Sequence, residues 1–370
     1  MDVLTAARAC FPRDYAESRR RFLRAAKARG AELKSYLNPN RGPDGGRLAT
    51  DCAWLGPRNA KNVLVLMSGT HGVEGFCGAG ALLDVLTTPP ALPRGLALLL
   101  IHAINPYGFA WIRRVTEDGV DLNRNFVDFA KPPANPGYDA LADAILPAKI
   151  SGPVYERAQK RLRAYMARHG MPAFNVAMSG GQYRHPKGLF YGGTGPTWSH
   201  RTQAAIIAEY ALARRRRVAV IDYHTGLGPH GYGDILCAHM PETRSAALAR
   251  KLYGENLSEP FGGTTNAGQA APGARHGFAS LLWQKMLGGR VAFVGIEYGT
   301  YDSLGVVRPA LVAEHWLHAQ GPVRWRDPRT RKIKAQLRKA FYPDTDAWRE
   351  AVLWRSRQAI RMAVAGLTRS

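Results

Sequence analysis

Residues 64–82 read LVLMSGTHGVEGFCGAGAL. The run up to Met67 is apolar and rich in Val and Leu, as in a strand buried on both faces. Small and apolar residues over 76–86 then predict a closely packed helix. Between strand and helix stands His71-Gly72-Val73-Glu74. An imidazole and a carboxylate three positions apart, in a loop leaving a strand, can reach one metal ion. Two imidazoles, one carboxylate and a position open to water make a hydrolytic zinc arrangement. The reading of this stretch therefore turns on a third ligand downstream.

The strand–helix alternation continues along the chain. Apolar runs at 62–68, 96–102, 218–223, 234–239 and 290–297 predict strands. Helical patterns fall at 14–36, 76–86, 154–169 and 199–214, and over the tail from 307 with a break near Pro343. Residues 39–46 are a Pro/Gly/Asn turn cluster, and 131–153, with prolines at 132, 133, 136, 147 and 153, read mostly as loop. The glycine- and aromatic-rich 178–198 has no core pattern and reads as a surface loop able to cover a pocket. The predicted class is α/β: a mixed, mostly parallel twisted sheet flanked by helices on both faces. With no internal repeat or low-complexity linker, one domain over 1–370 is expected. Its motifs fall within about 60–300, and a helical extension covers about 307–370.

The bulk composition bounds the partners. The chain has 370 residues, 46% of them hydrophobic. No apolar run reaches the roughly 18 residues of a membrane span, and the N-terminus lacks a signal peptide's order of segments. A cytoplasmic protein is expected. Cys10, Cys52, Cys77 and Cys237 form no CxxC pair and read as free thiols. The net charge of +23 is spread as arginine along the helices, densest at 214–217 and 324–338. Zinc-finger cysteines, an RRM signature and a basic zipper are all missing. A solvated basic surface ranks first, attraction of acidic substrates second and a nucleic-acid role last.

In open α/β sheets ligands bind beyond the carboxyl ends of the strands. His224 ends IDYH there and is the candidate third ligand. Asp222 lies two residues earlier on the same face, placed to orient it. Glu297 ends AFVGIE and is the candidate general base, a carboxylate that is not itself a ligand. A salt bridge to an arginine is the plainer alternative for it. In Asp121-Leu122-Asn123-Arg124-Asn125-Phe126, Asn123 and Arg124 suit a substrate carboxylate. A polar loop bonded to itself is the alternative there. One of Arg113 and Arg114 is suited to stabilise an oxyanion. The sequence leaves that choice open, with a lean to Arg113.

HGVE, NPYGFAW with the arginine pair, GVDLNRNF, IDYHTG and IEYG occur in the order of the M14 zinc carboxypeptidases. The chain resembles that superfamily over about 60–300, and more closely its bacterial branch of DUF2817-type proteins. The resemblance implies Zn2+ held by His71, Glu74 and His224. It implies Asn123 and Arg124 on the substrate's terminal carboxylate, and Glu297 as base and then proton donor. An arginine of the Arg113-Arg114 pair would face the oxyanion. The chain departs from the secreted digestive members in showing neither propeptide nor disulfides. Their mobile tyrosine has only Tyr191, Tyr298 and Tyr301 as candidates here.

The expected activity is that of a metallo-carboxypeptidase on a small peptide with a free carboxylate. The rival is deacylation of N-acyl amino acids, as in the succinylglutamate desuccinylase and aspartoacylase group. That group shares the HxxE and the strand-end His and Glu. A non-catalytic basic binding protein ranks third.

Overall fold

The structure, a computed structural model, describes residues 8–262 and 276–369. Its strands are β1 (Glu32–Arg41), β2 (Arg47–Leu55), β3 (Asn62–Met67), β4 (Leu96–His102), β5 (Arg217–His230), β6 (Gly233–Cys237), β7 (Leu257–Ser258) and β8 (Val291–Gly299). They form one eight-stranded sheet in the order β1-β2-β4-β3-β5-β8-β6-β7. The central strands β4, β3, β5 and β8 run parallel, and β2 and β6 flank them antiparallel. The sheet is mixed, as the sequence predicts.

Period-2 alternation sorts the side chains onto two faces. Leu64, Leu66, Leu98, Leu100 and Ile221 pack on one face against helices 75–87 and 346–368. Val63, Val65, Met67, Leu99 and Val220 pack on the other, where Ile206 and Trp283 come from helices 198–209 and 279–287. Burying a side chain of this size contributes about 1.5–3 kcal/mol. The ladder also fixes the chemistry: Met67 pairs with Asp222, and His224 with Glu297. No helix among the described residues is long and apolar enough to cross a membrane.

Several elements differ from expectation. The helix expected over 14–36 is Tyr15–Ala28, and the chain turns at Gly30 (φ +67°) into β1. The β1–β2 hairpin has no counterpart in the prediction because Pro39 sits inside β1. Proline is tolerated there because β1 is an edge strand. Within 131–153, Pro136–Ile145 is a helix, with Asn135 accepting from Tyr138 N as its cap and Pro136 in its first turn. The predicted strand 218–223 extends to His230, but its regular pairing with β8 breaks after Thr225. The C-terminal helix Asp346–Thr368 contributes Trp348, Val352 and Ile360 to the main core.

Three buried histidines tie stability to pH. Burial, the largest cause, holds His102, His239 and His315 down at about 4. The N–H of Phe293 donates to His239 Nε2 at 2.8 Å, which requires the neutral ring. The unfolded chain takes up protons near pH 6.5, whereas the folded one resists until about 4. Stability is thus full above pH 6.5 and lost as pH falls toward 4. We expect urea unfolding at pH 5 to show a stability several kcal/mol below that at pH 7.5, on the order set by the shifts. A flat profile would contradict the neutral-histidine assignment.

Candidate active site

The HGVE turn forms where β3 leaves the sheet. Val73 N and Gly72 N donate to the carbonyls of Arg113 and Arg114 at 2.8 and 3.1 Å. A Cβ on Gly72 would collide with the backbone of Gly108, so only glycine permits this approach. The turn is thereby clamped to segment 105–114, and His71 and Glu74 face the end of β5. His71, Glu74 and His224 bring ligand atoms within 4.8 Å of one another, and all three are buried. His71 Nδ1 lies 3.0 Å from Glu74 Oε1, and His224 Nδ1 lies 3.0 Å from Glu74 Oε2. The two Nδ1 atoms are 3.2 Å apart.

Each imidazole has a carboxylate behind it. His224 Nε2 is 2.8 Å from Asp222 Oδ2, and Thr70 Oγ1 donates to Asp222 at 2.9 Å. His71 Nε2 is 3.2 Å from Asp121 Oδ1. Such outer carboxylates fix ring orientation and raise basicity in metal sites. The contact of Asp121 with His71 was not legible in the sequence. Its only signal is its place in the same polar run as Asn123 and Arg124.

Two glutamates are driven in opposite directions. Burial works against ionisation of Glu74, but His71, His224 and Arg114 outweigh it and hold the carboxyl well below its usual range. Glu297 is pushed up to about 7, first by burial and then by the charge of Glu74. Its Oε1 accepts from Leu227 N at 3.1 Å, and its Oε2 has no hydrogen-bond partner among the described residues. Carboxylates separated in this way divide the tasks of ligand and proton carrier.

The arginine pair is split. Arg114 is turned into the site, with Nη1 2.8 Å from Glu74, Nε 3.0 Å from Asp121 and Nη2 2.9 Å from His71 Nε2. Arg113, favoured from the sequence, points away and is buried against Glu314 at 2.8 Å, where Lys334 also pairs. The structure thus brings Arg114, and not Arg113, to the cavity wall. Ile112, in the left-handed region at φ +48°, turns the backbone just before the pair, and the two side chains diverge.

Asn123 and Arg124 are held by main-chain contacts of their own. Asn123 Oδ1 accepts from Ala279 N at 3.0 Å. Arg124 donates from Nη1 to Asn123 O (2.7 Å) and from Nη2 to Ser179 O (2.6 Å), between the rings of Phe190 and Phe278. Burial lowers its pKa, and no carboxylate pairs with it among the described residues.

A cavity of about 210 Å³ is lined by His71, Arg114, Asn123, Arg124, His224 and Glu297. Phe190 of segment 178–198 and Ser179, the last residue of helix Gly152–Ser179, also line it. Tyr191, Tyr298 and Tyr301 do not line it: Tyr298 donates from its hydroxyl to Val352 O in the core, and Tyr301 packs on His230.

Residues 11–355 match the family model described as "Protein of unknown function (DUF2817)". No curated protein matches the chain. Among solved structures it is similar to carboxypeptidase A from Helicoverpa armigera, at 13% identity and TM-score 0.47, covering 95% of this chain and 73% of that one. It is also similar to the succinylglutamate desuccinylase from Chromobacterium violaceum, at 16% identity and TM-score 0.36, covering 88% and 74%. A third is the metallo-carboxypeptidase from Pseudomonas aeruginosa in complex with (2-guanidinoethylmercapto)succinic acid, at 14% identity and TM-score 0.38, covering 91% and 69%. Similarity at this level assigns no role to any residue.

Proposed function

The chain belongs to the DUF2817 family, and we propose that it is a zinc-dependent hydrolase that removes the C-terminal residue of a small peptide by adding water across the amide bond. One observation carries the reading. The His71, Glu74 and His224 ligand atoms cluster within 4.8 Å, and His71 and His224 line the same cavity as Glu297 and Arg124. Two imidazoles with Nδ1 turned inward, a carboxylate between them and carboxylates behind the rings suit zinc. When bound there, the ion supplies a Lewis acid that acidifies water and polarises a carbonyl.

The remaining work falls to side chains. Arg124 and Asn123 hold the free carboxylate, which would neutralise a buried cation that has no ion-pair partner among the described residues. Glu297, poised near neutrality, accepts the proton of the attacking water at Oε2. It then passes that proton to the departing amine. Arg114, the member of the pair that lines the cavity, adds positive charge beside the carbonyl oxygen. Leu236, Phe261, Phe278 and Phe293 leave the other walls apolar, which favours an apolar side chain on the released residue. Four free, buried cysteines suit a reducing, cytoplasmic setting.

A zinc-supplemented panel analysed by mass spectrometry tests this. It contains peptides with a free C-terminus, the same peptides as C-terminal amides, and N-acyl amino acids. The reading expects release of apolar C-terminal residues from the free acids far faster than from the amides. Cleavage confined to N-acyl amino acids would replace it with the deacylase alternative. Cleavage of none would leave the chain a binding protein.

A further inference from the structure

The basic run at 324–338 plays no part in the site above. It folds into the end of a turn and the helix Pro328–Phe341. On that helix Arg331, Lys334, Ala335, Arg338 and Lys339 recur at spacings of three and four, and so share a face. All five line a cavity of about 400 Å³, with Ile112, Trp325 and Tyr342 as apolar and aromatic wall and Asp344 as the one lining carboxylate. Like charges along one helix face oppose helix stability. This arrangement is therefore not explained by the needs of the helix.

The charges do not balance inside the cavity. Lys334 Nζ is met from behind by Glu314 Oε1 at 2.6 Å, and His318 Nε2 lies 3.0 Å from it. Arg338 Nη1 stands 3.3 Å from Asp344 Oδ2, but Asp344 also pairs closely with Arg349. Arg331 and Lys339 are exposed and have no ion-pair partner among the described residues. Arg338 is held between the rings of Phe76 and Tyr342, its guanidinium 4.8 and 5.0 Å from their centroids. Its Nε is buried with no hydrogen-bond partner. A guanidinium held by two aromatic rings thus lines a concave, cation-rich pocket.

We propose that this cavity is a second ligand site, one that takes a small phosphate-bearing dianion. The two cations left without carboxylates, Arg331 and Lys339, match the charge of about −1.5 to −2 that a phosphate monoester carries at neutral pH. The guanidinium forks of Arg331 and Arg338 match its oxygens. A merely solvated basic face would need neither the concavity nor the clamped Arg338.

Calorimetric titration with inorganic phosphate and pyrophosphate, at a constant ionic strength of about 0.15 M, tests it. One saturable site per chain is expected. The double variant Arg331→Ala/Lys339→Ala removes exposed side chains only and should weaken binding at least about tenfold. The double variant Arg157→Ala/Lys160→Ala removes the same charge from helix Gly152–Ser179, away from the cavity, and should leave binding unchanged. Three results would each overturn the proposal. One is no saturable binding. Another is equal weakening in both variants, which would mean diffuse attraction. The third is undiminished binding without Arg331 and Lys339, which would put the anion on the arginines of the catalytic cavity.

Discussion

Glu297→Gln is expected to lower kcat/KM on a cleaved peptide by about 10³-fold, within the 10²–10⁴ range of general acid–base catalysis. The substitution is nearly isosteric, and a glutamine Oε1 can still accept from Leu227 N. It removes a group that Glu74 and burial already push toward neutrality, so folding should be unchanged or slightly improved. Zinc content should also be unchanged, because the three proposed ligands are elsewhere. Activity, metal content and unfolding midpoint measured on one preparation separate loss of the base from loss of the site. More than a tenth of wild-type activity in the variant would remove Glu297 from the chemistry.

The second large effect belongs to Arg124. Losing one partner of a desolvated ion pair costs about 2–5 kcal/mol, much of it from the charge left behind. Arg124→Met should therefore lower kcat/KM on free-acid substrates by about 10²–10³-fold. Activity on the matching C-terminal amides should change only a few-fold, so the preference for free acids collapses. That contrast distinguishes an anchor from a brace. Arg124 also satisfies Ser179 O and Asn123 O, and a purely structural role would reduce both substrates equally. Persistence of the wild-type acid preference would contradict the assignment.

The convergence of the candidate site's residues was legible because parallel strands deliver their ends to one edge. His71, His224 and Glu297 each follow or close an apolar run, and β3, β5 and β8 lie side by side. The register that pairs His224 with Glu297 follows from that order. What escaped the sequence depends on contacts distant along the chain. Arg113 and Arg114 are chemically alike and adjacent, and only the turn at Ile112 and the buried Glu314 sort one from the other. Asp121 folds back on His71, a contact across 50 positions. The β1–β2 hairpin was hidden by Pro39, whose missing N–H matters less at a sheet edge than within it. Helix Pro136–Ile145 was hidden by prolines, although Asn135 followed by Pro136 is a helix-start signature.

The central claim is that His71, Glu74 and His224 hold one zinc ion. It is tested most directly by the metal content of the zinc-loaded, dialysed chain beside His71→Ala/His224→Ala. The account predicts about one equivalent in the wild type and less than a tenth of that in the double variant, with the same circular dichroism, since loss of two of three protein ligands leaves too few to hold the ion. A full equivalent in the double variant, or none in the wild type, would contradict it.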